Sequence, residues 1–116
     1  MTTEPIVVAE RVTQTEAALD LKIPVDLAYF GGHFEGAPIV PGVVQIKWAV
    51  EAARRHLAAR GDVVGMEALK FQRVLLPGAV VTLALKWVAA DGKLYFSYTA
   101  QAVRYSSGRL LFRSAT

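Results

Sequence analysis

The chain has no cysteine among its 116 residues, which excludes disulfide frameworks, thiolate nucleophiles and Cys-ligated zinc together. Histidine is scarce too: His33 and His56 are the only two, too few for a protein-built metal site, so neither a metal nor a redox cofactor is expected. Long apolar runs are missing. The longest stretch without a charged residue, Val74 to Leu85, is broken by Pro77 and Gly78 and falls short of the ~18–20 apolar residues of a membrane span. Glu4 stands where a secretion signal needs a basic region, and no small-residue cleavage site follows an apolar segment, so a cytoplasmic protein with no membrane partner is expected. No Lys/Arg run exceeds the pair Arg54–Arg55, and no zinc-finger spacing or aromatic-rich RNA-binding motif occurs, so nucleic acid is not an expected partner.

What is present is apolar. Hydrophobic residues make up 53% of the chain against 20% charged, the opposite of the balance that keeps chains disordered, and the length suits a single domain over residues 1–116. Thirteen basic against ten acidic residues leave a net charge of +3, a mild excess that favours an anionic partner such as a phosphate-bearing cofactor or an acidic carrier protein.

Residues 6–12 and 15–23 read as two half-buried strands, with Ala17, Leu19, Leu21 and Ile23 repeating at period two. Gly31, Gly32, Gly36, Pro38, Pro41 and Gly42 then crowd one loop, as a backbone that turns tightly or approaches a ligand requires. From Pro41 the pattern is helical. Val43, Ile46, Val50, Ala53 and Leu57 form the expected core stripe, Lys47, Glu51 and Arg54 or Arg55 an adjacent line, and Gly61 the expected stop. Four β segments follow at about 63–74, 79–89, 93–105 and 108–115, with hairpin turns expected at Ala90-Asp91-Gly92 and Ser106-Ser107-Gly108. The order β-β-α-β-β-β-β predicts one helix against one antiparallel sheet, an α+β fold. One helix cannot cover a whole sheet, so a homodimer is expected to hide the remaining apolar surface.

The distinctive segment is Gly31 to Glu51, GGHFEGAPIVPGVVQIKWAVE. It sets His33 in a Gly/Pro loop ahead of the Pro41-Gly42 helix start. Such a start offers backbone N–H groups without intrahelical acceptors and the positive end of the helix dipole, suited to an oxyanion or a polarised carbonyl. A neutral imidazole beside it suits general-base work. A histidine simply hydrogen-bonded to loop backbone fits the local pattern at least as well.

The run His33-Phe34-Glu35-Gly36-Ala37-Pro38-Ile39-Val40-Pro41-Gly42-Val43-Val44 resembles the H-F-P-x-x-P-x-M-P-G-V-L signature of the hotdog-fold 3-hydroxyacyl-acyl carrier protein dehydratases of fatty acid synthesis. Leu69-Lys70-Phe71-Gln72-Arg73 through Leu76-Pro77-Gly78 is similar to the same family's K-F-R-x-x-V-x-P-G strand and turn. The short chain and its G-V-V-Q helix start also resemble the small stand-alone dehydratases of aryl polyene gene clusters. The resemblance implies a hotdog fold, an antiparallel sheet wrapped around one long central helix, dimerised so that each active site lies between subunits. It implies a lyase that eliminates water from a 3-hydroxyacyl thioester of acyl carrier protein or coenzyme A to give the trans-2-enoyl thioester, without a cofactor. Carried over residue by residue, His33 is the base, and the backbone N–H of Gly42 or Val43 holds the thioester carbonyl. Phe34 and Trp48, with Tyr29 and Phe30, are candidates for lining an acyl tunnel, and core packing explains them equally well.

The family's acid does not carry over. Lys47 stands where the family has Glu or Asp, and Glu51 stands one turn further on, where it usually has Gln. Three readings stay open: Glu51 as acid after a shift of about 5.4 Å, Lys47 donating the proton from a buried ammonium, or an i,i+4 ion pair with no acid. The last makes the protein a non-catalytic acyl-thioester-binding subunit, such as the partner of an active dehydratase in a heterodimer. An acyl thioesterase recruiting Glu51 or Glu35 is a further alternative. His56, Arg54, Arg55 and Arg60 read as the wet end of the helix, with a phosphate contact as the functional alternative. Lys70, Arg73, Arg104, Arg109 and Arg113 read as sheet-surface charge or a carrier-docking patch.

Overall fold

A computed structural model of the chain describes residues 2–28 and 38–113. Its elements are β1 (Ile6–Val12), β2 (Glu16–Lys22), α1 (Gly42–His56), β3 (Asp62–Phe71), β4 (Val80–Val88), β5 (Lys93–Ala100) and β6 (Val103–Arg113). The strands form one sheet in the order β1-β2-β4-β5-β6-β3, with every neighbouring pair antiparallel. This is the hotdog arrangement of one helix against one curled antiparallel sheet.

Period-two alternation aims Leu19, Leu21, Leu83, Leu85, Leu94 and Leu110 at the helix, and all six are buried. Each such leucine contributes about 1.5–3 kcal/mol by leaving water. The helix answers with Val44, Ile46, Trp48, Ala49, Val50, Ala52 and Ala53, burying more than one face, as a helix wrapped by a sheet must. On the sheet's other side Arg11 grips Asp20 through two hydrogen bonds and Thr82 donates a third. Those bonds, led by the guanidinium, hold the Asp20 carboxyl below its ordinary value.

Three expectations need correction. Val43 does not belong to the core stripe; it is 74% exposed and heads the line that continues through Lys47. Gly61 does not stop the helix, which ends at His56. There Ala58 takes the left-handed conformation (φ 55°), while the Ala59 N–H donates to the Ala53 carbonyl, so an alanine fills the role for which glycine is favoured.

The third correction concerns Ser106-Ser107-Gly108, which is no turn and lies inside β6. The last hairpin turns instead at Gln101 and Ala102, both at positive φ (49° and 65°). Gly108 is in the strand because a Cβ there would come within 2.5 Å of Leu69 and 3.0 Å of Phe96; a close approach, not a bend, requires it.

Candidate active site

The helix begins where three stretches of chain meet. Pro41 is its N-cap, with φ −59° and ψ 149°, and its carbonyl accepts from the N–H groups of Val44 and Gln45. Among the described residues the N–H groups of Gly42 and Val43 have no backbone acceptor, the normal state of a first turn. The preceding residues are pinned, because the Val40 N–H donates to Leu75. Gly42 sits close against an aromatic side chain: a Cβ there would come within 2.8 Å of the Phe71 ring. Ile39, Val40, Gly42 and Gln45 on one side and Phe71 to Val74 on the other enclose a cavity of about 230 Å³. The two motif segments thus face each other across one small space. Pro77-Gly78 closes the second segment, with Gly78 at φ +78° and its N–H donating to Ile23.

Behind this turn lies a buried polar cluster that sequence reasoning missed. Gln45 is only 3% exposed. Its Nε2 donates to the Val40 carbonyl at 3.1 Å, its Oε1 accepts from the Ser106 hydroxyl at 2.6 Å, and its main-chain carbonyl accepts from the Tyr98 hydroxyl at 2.6 Å. Burial drives the Tyr98 phenol well above its ordinary value, so it stays neutral and able to donate. The one signal in the sequence was a glutamine at an otherwise apolar helix position.

The flank one turn along is different. Lys47 Nζ lies 3.6 Å from Glu51 Oε2 and 3.9 Å from Glu4 Oε1, with the Lys47 side chain 48% and the Glu51 side chain 39% exposed. The Lys47 side chain is thus half exposed in the single chain. Glu51 is divided: its Oε1 is buried and has no hydrogen-bond partner among the described residues. The side chain lines a second cavity of about 230 Å³ with Leu19, Leu21, Leu83 and Trp48. Trp48 belongs to that cavity rather than to the one at the helix start, and its Nε1 donates to the Thr3 carbonyl at 3.1 Å.

His33 and Phe34 lie outside the described residues, as do Tyr29, Phe30 and Glu35. His56 sits against Glu10 at 3.5 Å and Arg54 donates to the Gly61 carbonyl, so both serve the helix end; Arg55 lines the Trp48 cavity. Arg73 lines the helix-start cavity. Lys70, Arg104 and Arg109 join Lys86 around a broad trough of about 440 Å³ on the sheet face turned from the helix. That trough is larger but shallow, and it has no helix N-terminus, so the smaller cavity is the candidate site. Arg113 is exposed at the end of β6. Among the described residues no group of three or more His, Asp or Glu is placed to hold a metal, and no helix is long and apolar enough to cross a membrane.

Fold and helix-start cavity together define a hotdog protein of the dehydratase-like class. The ApeI-like family, described as ApeI dehydratase, matches residues 9–109, and the chain belongs to it. A chain in the solved structure of the dehydratase heterocomplex ApeI:P from Xenorhabdus doucetiae is 32% identical, with a TM-score of 0.88 over 95% of this chain and 99% of that one. An uncharacterized protein from Erwinia carotovora subsp. atroseptica is 31% identical, with a TM-score of 0.86 over 97% and 98% of the two chains. The 3-hydroxyacyl-[acyl-carrier-protein] dehydratase FabZ of Erythrobacter litoralis is 34% identical over 76 residues, 58% of this chain and half the length of that relative.

Proposed function

We propose that this chain binds 3-hydroxyacyl thioesters and takes part in their dehydration as one subunit of a two-chain hotdog assembly. His33 takes the C2 proton, the Gly42 and Val43 N–H groups hold the thioester carbonyl, and a carboxylate on the other chain's helix gives its proton to the departing hydroxyl. The observation that carries this reading is Lys47. At the helix position where the dehydratase signature puts its acid, the chain has a lysine held between Glu4 and Glu51. With a cation at the signature's acid position, this reading takes the acid from the other chain.

The open edge of β3 is where the second chain joins. This strand is ten residues long, pairs among the described residues only with β6, and exposes Val64, Met66, Leu69 and Phe71. An edge of that length and apolarity calls for a partner, and Phe71 lies against Gly42, so a chain added there reaches the helix-start cavity. The similar Xenorhabdus protein is a heterocomplex, which favours a related chain over a second copy. Acyl carrier protein is the thioester carrier proposed, following the FabZ relatives. The surroundings proposed are cytoplasmic.

One observation favours a second reading, with Glu51 as the acid: its Oε1 is buried without a hydrogen-bond partner among the described residues, on a side chain that lines the cavity beside Trp48. Complementation separates the two. Wild type is mixed with a hotdog chain that carries the helix carboxylate but has its own loop histidine replaced by alanine, and enoyl absorbance is followed. The proposal predicts turnover only in the mixture, lost with His33→Ala. Turnover by the wild type alone, abolished by Glu51→Gln, would establish the second reading instead.

A further inference from the structure

We propose that the Gln45 side-chain amide, oriented by Ser106, is a positioning residue for thioester polarisation: it fixes the first helical turn so that the Gly42 and Val43 N–H groups meet the carbonyl oxygen. This rests on the reading of the helix start given above and adds the residue that makes that start work.

The amide's orientation follows from its partners. A main-chain carbonyl only accepts, so the atom facing Val40 must be the nitrogen. Oε1 is then the atom facing Ser106, and the Ser106 hydroxyl is the donor. Each of these bonds ties a different part of the fold. Val40 precedes the N-cap and is anchored to Leu75, beyond the Phe71 wall. Ser106 belongs to β6 and pairs with Phe71 in the β3–β6 register. Gln45 thus connects both walls of the cavity, from a position four residues inside the helix whose side chain reaches back over the first turn. Its Nε2 carries two hydrogens, and Val40 is its one acceptor among the described residues. An N–H therefore remains on a side chain that is almost wholly buried and lines the cavity. A glutamine needed only to fill space here would be replaceable by methionine; a latch for a hydrogen-bonding site would not.

The carbonyl band of a bound thioester reads this directly, because hydrogen bonds that polarise the carbonyl lower its stretching frequency. The full-length protein is mixed with a short 3-hydroxyacyl pantetheine thioester carrying ¹³C at the carbonyl, and difference infrared spectra are recorded for wild type, Gln45→Met, Ser106→Ala and Tyr98→Phe. In wild type the band is expected well below its position in buffer. In Gln45→Met and Ser106→Ala it returns toward that position while the thioester still binds. Tyr98→Phe loses a buried hydrogen bond to the main chain of the same residue, so its Tm falls but the band stays low. A residue with a purely structural role would make Tm fall in all three variants and move the band in none.

A low band retained in both Gln45→Met and Ser106→Ala overturns the proposal and leaves the thioester site standing. A wild-type band unshifted on binding also overturns it. A wild type that binds no thioester overturns the proposed function as well.

Discussion

The two ends of the helix segment Gly42–Glu51 are held in opposite ways. At its start, a glycine set against an aromatic ring and a glutamine bound on three sides leave the first-turn N–H groups in one position. One turn on, Lys47 and Glu51 are joined by an exposed ion pair at 3.6 Å, of the kind that adds a few tenths of a kcal/mol. Buried, satisfied polar networks constrain geometry and exposed pairs do not. The helix start is therefore held by buried contacts, whereas the position where the resembling dehydratases put their acid carries a half-exposed lysine in ion pairs.

This contrast predicts a graded set of effects. Gln45→Leu strands the Val40 carbonyl and the Ser106 hydroxyl in the core, and is expected to lower unfolding free energy by about 3 kcal/mol, read by denaturant melts. Tyr98→Phe is expected to cost about 1–2 kcal/mol, and it has a pH signature. Because the folded-state phenol is raised above the ordinary 10.0, its contribution is complete below that pH. It is lost as pH rises above it, at up to about 1.4 kcal/mol per pH unit. Melts between pH 9 and 11 are therefore expected to fall for wild type more steeply than for Tyr98→Phe.

Gly42→Ala pushes on a half-exposed ring that can move, and alanine is the better helix former, so stability is expected to change by less than about 1 kcal/mol. Thioester binding, measured calorimetrically, is expected to weaken, because the ring moves into the cavity. Lys47→Met is expected to change stability least, by under about 0.5 kcal/mol; a loss several times larger would remove the contrast between the two regions.

Much of this was legible beforehand, and the failures share a cause. Strand alternation and the 3-4 helical spacing report side-chain burial directly, so the element order, the core face of β2 and the α1 stripe from Ile46 onward were readable. Ser106-Ser107-Gly108 misled because small polar residues with a glycine resemble a turn, whereas here the serine is buried beneath Gln45 and the glycine makes room for Leu69 and Phe96. The true turn at Gln101-Ala102 has no local signal, since neither residue favours positive φ. Gln45 was invisible for a related reason: a polar residue on an apolar face declares itself only when its partners from β5 and β6 are known. The lysine at the acid position, by contrast, was plain from motif spacing alone, and the structure adds its two carboxylate neighbours.

The central claim is that this chain supplies the base and the carbonyl site and lacks only the acid. The most direct measurement is enoyl formation from a 3-hydroxyacyl thioester by wild type, Lys47→Glu and the double variant Lys47→Glu/His33→Ala, each assayed without any other chain. The account predicts that wild type is inert, that Lys47→Glu turns over because copies of the same chain then supply both groups, and that the double variant is inert again. Turnover by the wild type alone, or none by Lys47→Glu while it still binds the thioester, would contradict it.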